Sequence, residues 1–147
     1  MGFQADVRAA AVTTLEAYAT AQSVPLQVYA GRPRTVNPPT AFVDAMRETI
    51  EYVGHLMQQT VQADIVLIHG SFDSADSAAQ KDAFTDGYIE YIRDPSTGFH
   101  AAGANTTLGV VSTEDDPTFV PDWLGRDNGG GRTYFATRIT LEGFAGE

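Results

Sequence analysis

The chain contains no cysteine in its 147 residues. Disulfide staples and thiolate zinc sites are therefore excluded, and a reducing compartment is comfortable. No apolar run approaches the roughly 18 residues that a membrane-spanning helix needs, so no membrane partner is expected. The stretch Met1 to Ala11 carries Asp6 and lacks the basic start of a secretory leader. Gly2 invites a myristoylation pattern, but Asp6 stands where that pattern needs Ser or Thr. Cations are also scarce, nine Lys and Arg against 19 Asp and Glu, for a formal net charge of −10. Tight nucleic-acid binding rests largely on cations that neutralise phosphates, so it is disfavoured. A surface that lets DNA pass without holding it is compatible with this charge.

What is present describes a folded domain. Hydrophobic residues make up 43% of the chain and charged residues only 19%, unlike a disordered segment. A single domain of this length buries roughly 68–70% of its unfolded surface and needs no staple.

Residues 3–21 place Phe3, Val7, Ala10, Ala11, Leu15 and Tyr18 at three- and four-residue steps, which predicts a helix ending before Pro25. Leu26, Val28 and Ala30 alternate as in a short strand. An irregular arm follows over 31–40, because Pro33, Pro38 and Pro39 suit neither a helix interior nor a central strand. Residues 41–53 read either way. Phe42, Met46, Ile50 and Val53 make a helical stripe, while strand alternation is spoiled by Asp44 and Glu48. A strand there would allow a long hairpin with 56–69 around Gly54. Asp64 to His69 is a short, β-branched apolar run, as in a buried central strand.

Residues 74–93 form the strongest helical pattern. Asp73 or Ser74 can cap it, Asp76 adds favourable charge to its first turn, and Pro95 ends it. Its expected apolar stripe is Ala75, Ala79, Ala83, Phe84, Tyr88, Tyr91 and Ile92. Residues 105–113 and 132–141 read as strands, with a mobile, glycine-rich loop over 122–131 between them. The order α-β-β-β-α-β-β implies a single α+β domain, with a mostly antiparallel sheet covered on one face by two helices.

His69, Ser71 and Asp73 tempt a hydrolytic reading, since they are the residue types of a catalytic triad. Triads are set by spatial geometry, which such close spacing rarely yields. The nucleophile-elbow pattern Gly-x-Ser-x-Gly is absent as well. A strand end followed by a helix cap explains the same residues. His55, His69 and His100 lie far apart without metal-ligand spacing. The glycines over 125–131 lack the Gly-Lys-Ser/Thr end of a phosphate loop. Glu114-Asp115-Asp116 before Pro117 reads as a solvated turn, not a calcium loop. No catalytic residue, cofactor or metal is expected.

Asp82, Asp86 and Glu90 stand at i, i+4, i+8 of the long helix, and like charges at that spacing repel by a few tenths of a kcal/mol per pair. The row is either a plain exposed acidic face or an interface, with Ile89 beside it outside the apolar stripe. Arg32 and Arg34 on the arm are the candidate cations of a neighbouring copy.

Several blocks in order carry a resemblance. They are Leu26–Pro33 (Leu-Gln-Val-Tyr-Ala-Gly-Arg-Pro), Pro38–Asp44 (Pro-Pro-Thr-Ala-Phe-Val-Asp), His69–Asp76 (His-Gly-Ser-Phe-Asp-Ser-Ala-Asp) and His100–Thr106 (His-Ala-Ala-Gly-Ala-Asn-Thr). Pro121–Leu124 (Pro-Asp-Trp-Leu) and Tyr134–Gly143 (Tyr-Phe-Ala-Thr-Arg-Ile-Thr-Leu-Glu-Gly) follow. Over roughly 25–143 the chain resembles tail-terminator proteins of long-tailed bacteriophages, especially those infecting actinobacteria. The resemblance implies a small α/β sandwich in which 41–53 is a strand. It also implies a homohexameric ring that caps the tail tube and ends its polymerisation. Such a ring contacts the tube protein and the head-completion (neck) proteins, and DNA passes through its lumen. It implies a place in the virion after assembly in the host cytoplasm, and no enzymatic activity. Segment 94–99 and the glycine loop are longer than the family leads one to expect. Two other readings stay open: a different neck protein of the same structural class, and a small hydrolase or ligand-binding domain using the His69 corner.

Overall fold

A computed structural model of the chain describes residues 3–36, 38–71, 75–93, 107–125 and 131–146. The elements are α1 (Phe3–Ala21), β1 (Gln27–Tyr29), β2 (Thr40–Val53), β3 (Leu56–Ser71), α2 (Ala75–Arg93), β4 (Thr107–Phe119) and β5 (Tyr134–Gly146). The strands form one sheet in the order β1-β2-β3-β5-β4. Every pairing is antiparallel except that of β1 with β2. The α+β class and the α-β-β-β-α-β-β order are those the sequence implies.

Both helices lie on one face. Ala10, Ala11, Leu15 and Tyr18 of α1 and Tyr88 and Ile92 of α2 pack on Ala41, Val43, Ile65, Leu67, Ile139 and Leu141 of the sheet. The alanines of α1 let its backbone approach the strands closely, and they favour helix in their own right. Among the described residues, the other face is covered only over its β1 end. There Phe42, Val66, Ile68, Tyr134 and Ala136 receive Val36, Phe119, Trp123 and Leu124.

The ambiguity of 41–53 resolves as strand, and a bulge explains it. Val43 pairs with Ile65 and Met46 with Ala63, so one extra residue interrupts the ladder. An extra residue reverses which parity faces the core. Phe42 therefore packs on the arm side, whereas Met46 packs with Val7, Val61 and Ala63 under the start of α1. The hairpin turns at Gly54, whose φ of 66° suits glycine.

Two expectations are corrected. First, β4 does not stop at Thr113 but continues to Phe119, through the acidic triplet. It is an edge strand whose register shifts between Asp116 and Phe119, and such a position tolerates the missing N–H of Pro117. Second, Phe84, Tyr88, Tyr91 and Ile92 of α2 pack on the core as expected, but Lys81 and Thr85 turn inward with them while Ala79 and Ala83 face solvent. The proline-rich arm is irregular, as its prolines imply, and it is packed down, with Pro33 and Val36 buried.

Candidate functional site

His69 ends the apolar part of β3 on the helix side of the sheet. Its Nε2 lies 3.0 Å from Thr137 Oγ1, and Thr137 donates to Asp115 Oδ1 at 3.2 Å. Asp115 also accepts from Lys81 Nζ at 2.6 Å. Lys81 is the chain's only lysine and is just 7% exposed. It also pairs with Asp82, and its ammonium stands 5.4 Å from the centre of the Phe135 ring. The acidic triplet thus has a structural role in Asp115, which neutralises a buried cation reaching across from α2.

This arrangement sets the charge of His69. Burial, and then the nearby Lys81 cation, depress its pKa from 6.5 to about 4, outweighing Asp115 and Asp82. The imidazole is neutral at pH 7. Lys81 is shifted the other way: burial works against its charge, but its hydrogen bonds to Asp115 and Asp82 prevail. A cavity of about 470 Å³ opens beside the pair, between α2, the end of α1 and the entry to β1. Tyr18, Leu26, Leu67 and Phe84 give it an apolar wall, and His69 and Lys81 a polar edge.

The catalytic corner does not gain from this geometry. A general base works best with a pKa near the operating pH, and His69 lies far below it. Asp73 falls outside the described residues, and so does His100. His55 is exposed at the hairpin turn. Among the described residues no group of three or more His, Asp or Glu side chains could hold a metal ion. No helix among them is long and apolar enough to cross a membrane.

The interface candidates separate. Arg32 is held within its own chain: its Nε donates to Asp44 Oδ1 at 2.9 Å, and its guanidinium lies 4.9 Å from the centre of the Trp123 ring. Trp123 in turn donates from Nε1 to the Pro33 carbonyl at 2.9 Å, which ties the arm to the 121–124 segment. Asp44 also accepts from Arg138 Nη1 at 3.2 Å, and the same Nη1 reaches Asp64 Oδ2 at 2.9 Å. Thr140 completes the chain by donating to Asp64 at 2.9 Å. The arm cation offered to a neighbour is thus already engaged. Arg34 is exposed, and among the described residues it has no ion pair. On α2, Asp82, Asp86 and Glu90 all face solvent and Ile89 is half-buried. Asp82 pairs with Lys81, and Glu90 lies 4.0 Å from Arg93. Segment 94–99 and residues 126–130 of the glycine loop lie outside the described residues.

Sequence reasoning missed one exposed feature. Beyond the start of α1 the β2–β3 hairpin carries Ile50, Tyr52, Val53 and Leu56, exposed at 49%, 72%, 64% and 58%. The signal was present as apolar residues continuing to the turn, but they read equally as core. No protein-family model matches the chain, and no curated protein matches it either.

Proposed function

We propose that this chain is a structural subunit of a bacteriophage tail. In this reading, copies close into a ring that caps the tail tube, stops its growth and joins it to the head-completion proteins, with DNA passing through the lumen. The observation that carries the reading beyond the resemblance is the apolar hairpin end. A monomer rarely exposes contiguous large apolar side chains without a partner to cover them. The agreement of element order with the α/β sandwich implied by the resemblance supports it too. So does the net charge of −10 per chain, which suits a channel wall that must not retain DNA. The protein then acts by shape and assembly, without catalysis, and resides at the head-proximal end of the tail.

Native mass spectrometry of the purified chain, with and without tail-tube protein, tests this. A closed oligomer, alone or with the tube, is expected. A monomer under both conditions would overturn it. A ring that binds portal-side proteins and ignores the tube would point instead to another neck component.

The cavity beside His69 favours one second reading, a small-ligand module, because its volume lies within the range of ligand pockets. Under that reading His69→Ala removes a binding activity and leaves assembly untouched.

A further inference from the structure

The sheet has two unlike ends. At one, the hairpin presents Tyr52, Val53 and Leu56 to solvent around the Gly54 turn. At the other, where β2 begins and β3 finishes, lies the cavity of about 470 Å³. We propose that the apolar hairpin end of one copy docks into this cavity of the next copy, and that this is the contact that closes the ring. The inference rests on the ring reading above and names the two surfaces it needs.

Four observations point to a second copy as the occupant. The hairpin cannot fill the cavity of its own chain. Leu56 begins β3 and Ile68, in the cavity lining, lies twelve residues further along the same strand, which at about 3.3 Å per residue is roughly 40 Å. The chemistry of the two surfaces matches. Tyr18, Leu26, Leu67 and Phe84 offer apolar and aromatic wall, and Tyr52 is the type of residue that anchors interfaces, a large flat body with one polar end. Its hydroxyl would have Gln22 within the lining as a partner. The polar edge does not repel an apolar guest, since His69 is neutral and Lys81 is already paired. Finally, each chain carries both the hairpin end and the cavity, on different surfaces. That is what a head-to-tail ring requires, because such contacts join two distinct patches.

The absence of native cysteine makes the test direct. Tyr52→Cys and Ala83→Cys place one thiol on the exposed hairpin end and one on the exposed, cavity-lining surface of α2. The doubly substituted chain is oxidised with tail-tube protein present, then read on a non-reducing gel and by native mass spectrometry. The expected result is a covalent ladder that stops at the copy number of the ring, while each single variant gives at most dimers. In parallel, Tyr52→Ser in the cysteine-free chain is expected to lower the assembled fraction at least tenfold, with an unchanged circular-dichroism spectrum. A ring that assembles without a ladder and tolerates Tyr52→Ser would overturn the docking and leave the ring reading standing. No assembly of the unsubstituted chain, with or without tube, would overturn both. A ladder with no closed size would keep the contact and remove the ring.

Discussion

The two faces of the sheet are held by different physics. Under the helices, the contacts are apolar and aromatic. Tyr18 meets Phe84, Tyr88 and Tyr91 at ring separations of 5.0, 5.7 and 5.4 Å. The polar groups there are few: Tyr88, fully buried, shares a 2.9 Å hydrogen bond with Thr14. Under the arm, a chain of charges runs from Arg32 through Asp44 and Arg138 to Asp64. Trp123 closes over it, with Phe42 at 5.4 Å. Away from Lys81, the helix face thus depends on shape and burial, whereas the arm face depends on every charge keeping its partner. Two helices can bury one face with side chains alone. An irregular arm cannot cover as much, and the polar chain makes up the difference by fixing where it lies.

The largest expected effect tests that dependence. Arg138→Met leaves Asp44 with Arg32 only and Asp64 with Thr140 only. Asp44 is 11% exposed and Asp64 27%, so solvent softens the loss to about 2–3 kcal/mol. Tyr88→Phe removes a neutral hydrogen bond on the helix face and should cost only about 1 kcal/mol. Urea unfolding of both variants compares them. If Arg138→Met costs no more than Tyr88→Phe, the contrast between the faces does not hold.

His69 sits at the margin of the helix face, where charge intrudes into apolar packing. Its folded pKa of about 4 lies below the ordinary 6.5. Between those values the unfolded chain takes up a proton that the folded chain refuses. The contribution of His69 to stability is therefore complete above about pH 6.5, declines as pH falls towards 4, and is gone below that. After allowance for partial exposure it amounts to about 2 kcal/mol. In His69→Gln, the drop in unfolding free energy between pH 7.5 and 4.5 should shrink by about that amount. An identical drop in both chains would mean that the imidazole is solvated in the fold.

Sequence patterning revealed those parts of this molecule in which one face of one element decides everything. The stripe of α1 is such a case: Val7, Ala10, Ala11, Leu15 and Tyr18 are all buried as their spacing implies. It failed where a second element intervened. The bulge after Val43 reverses the parity of β2, so no single period describes it. Lys81 turns inward on α2 only because Asp115 waits on β4, and the same pairing keeps the acidic triplet in a strand. The candidate site is legible to the same extent. His69 at a strand end could be read directly. Its surroundings come from Thr137, Asp115 and Lys81 on three other elements, and the cavity beside it exists only once α1, α2 and the entry to β1 meet the end of β3. The hydrophobic run into Gly54 was visible, but whether it was core or surface depended on how far α1 reached along the sheet.

The smallest predicted effect tests how closely the helix face is fitted. Gly87 lies in the middle of α2, where glycine costs about 1 kcal/mol relative to alanine, so propensity alone expects Gly87→Ala to stabilise. The packing says otherwise, because a Cβ there would fall inside the Tyr18 hydroxyl. Overpacking costs about 1–3 kcal/mol, leaving a net loss of about 1 kcal/mol. Tyr18→Phe removes the clashing oxygen, although the ring carbon that carried it would still stand a tight 3.1 Å from the new Cβ. In that background Gly87→Ala should become neutral or mildly stabilising. The sign change, read from a thermodynamic cycle of the two substitutions, separates contact from propensity. An equal loss in both backgrounds would mean that the strain lies in the backbone of α2 and not in its approach to α1.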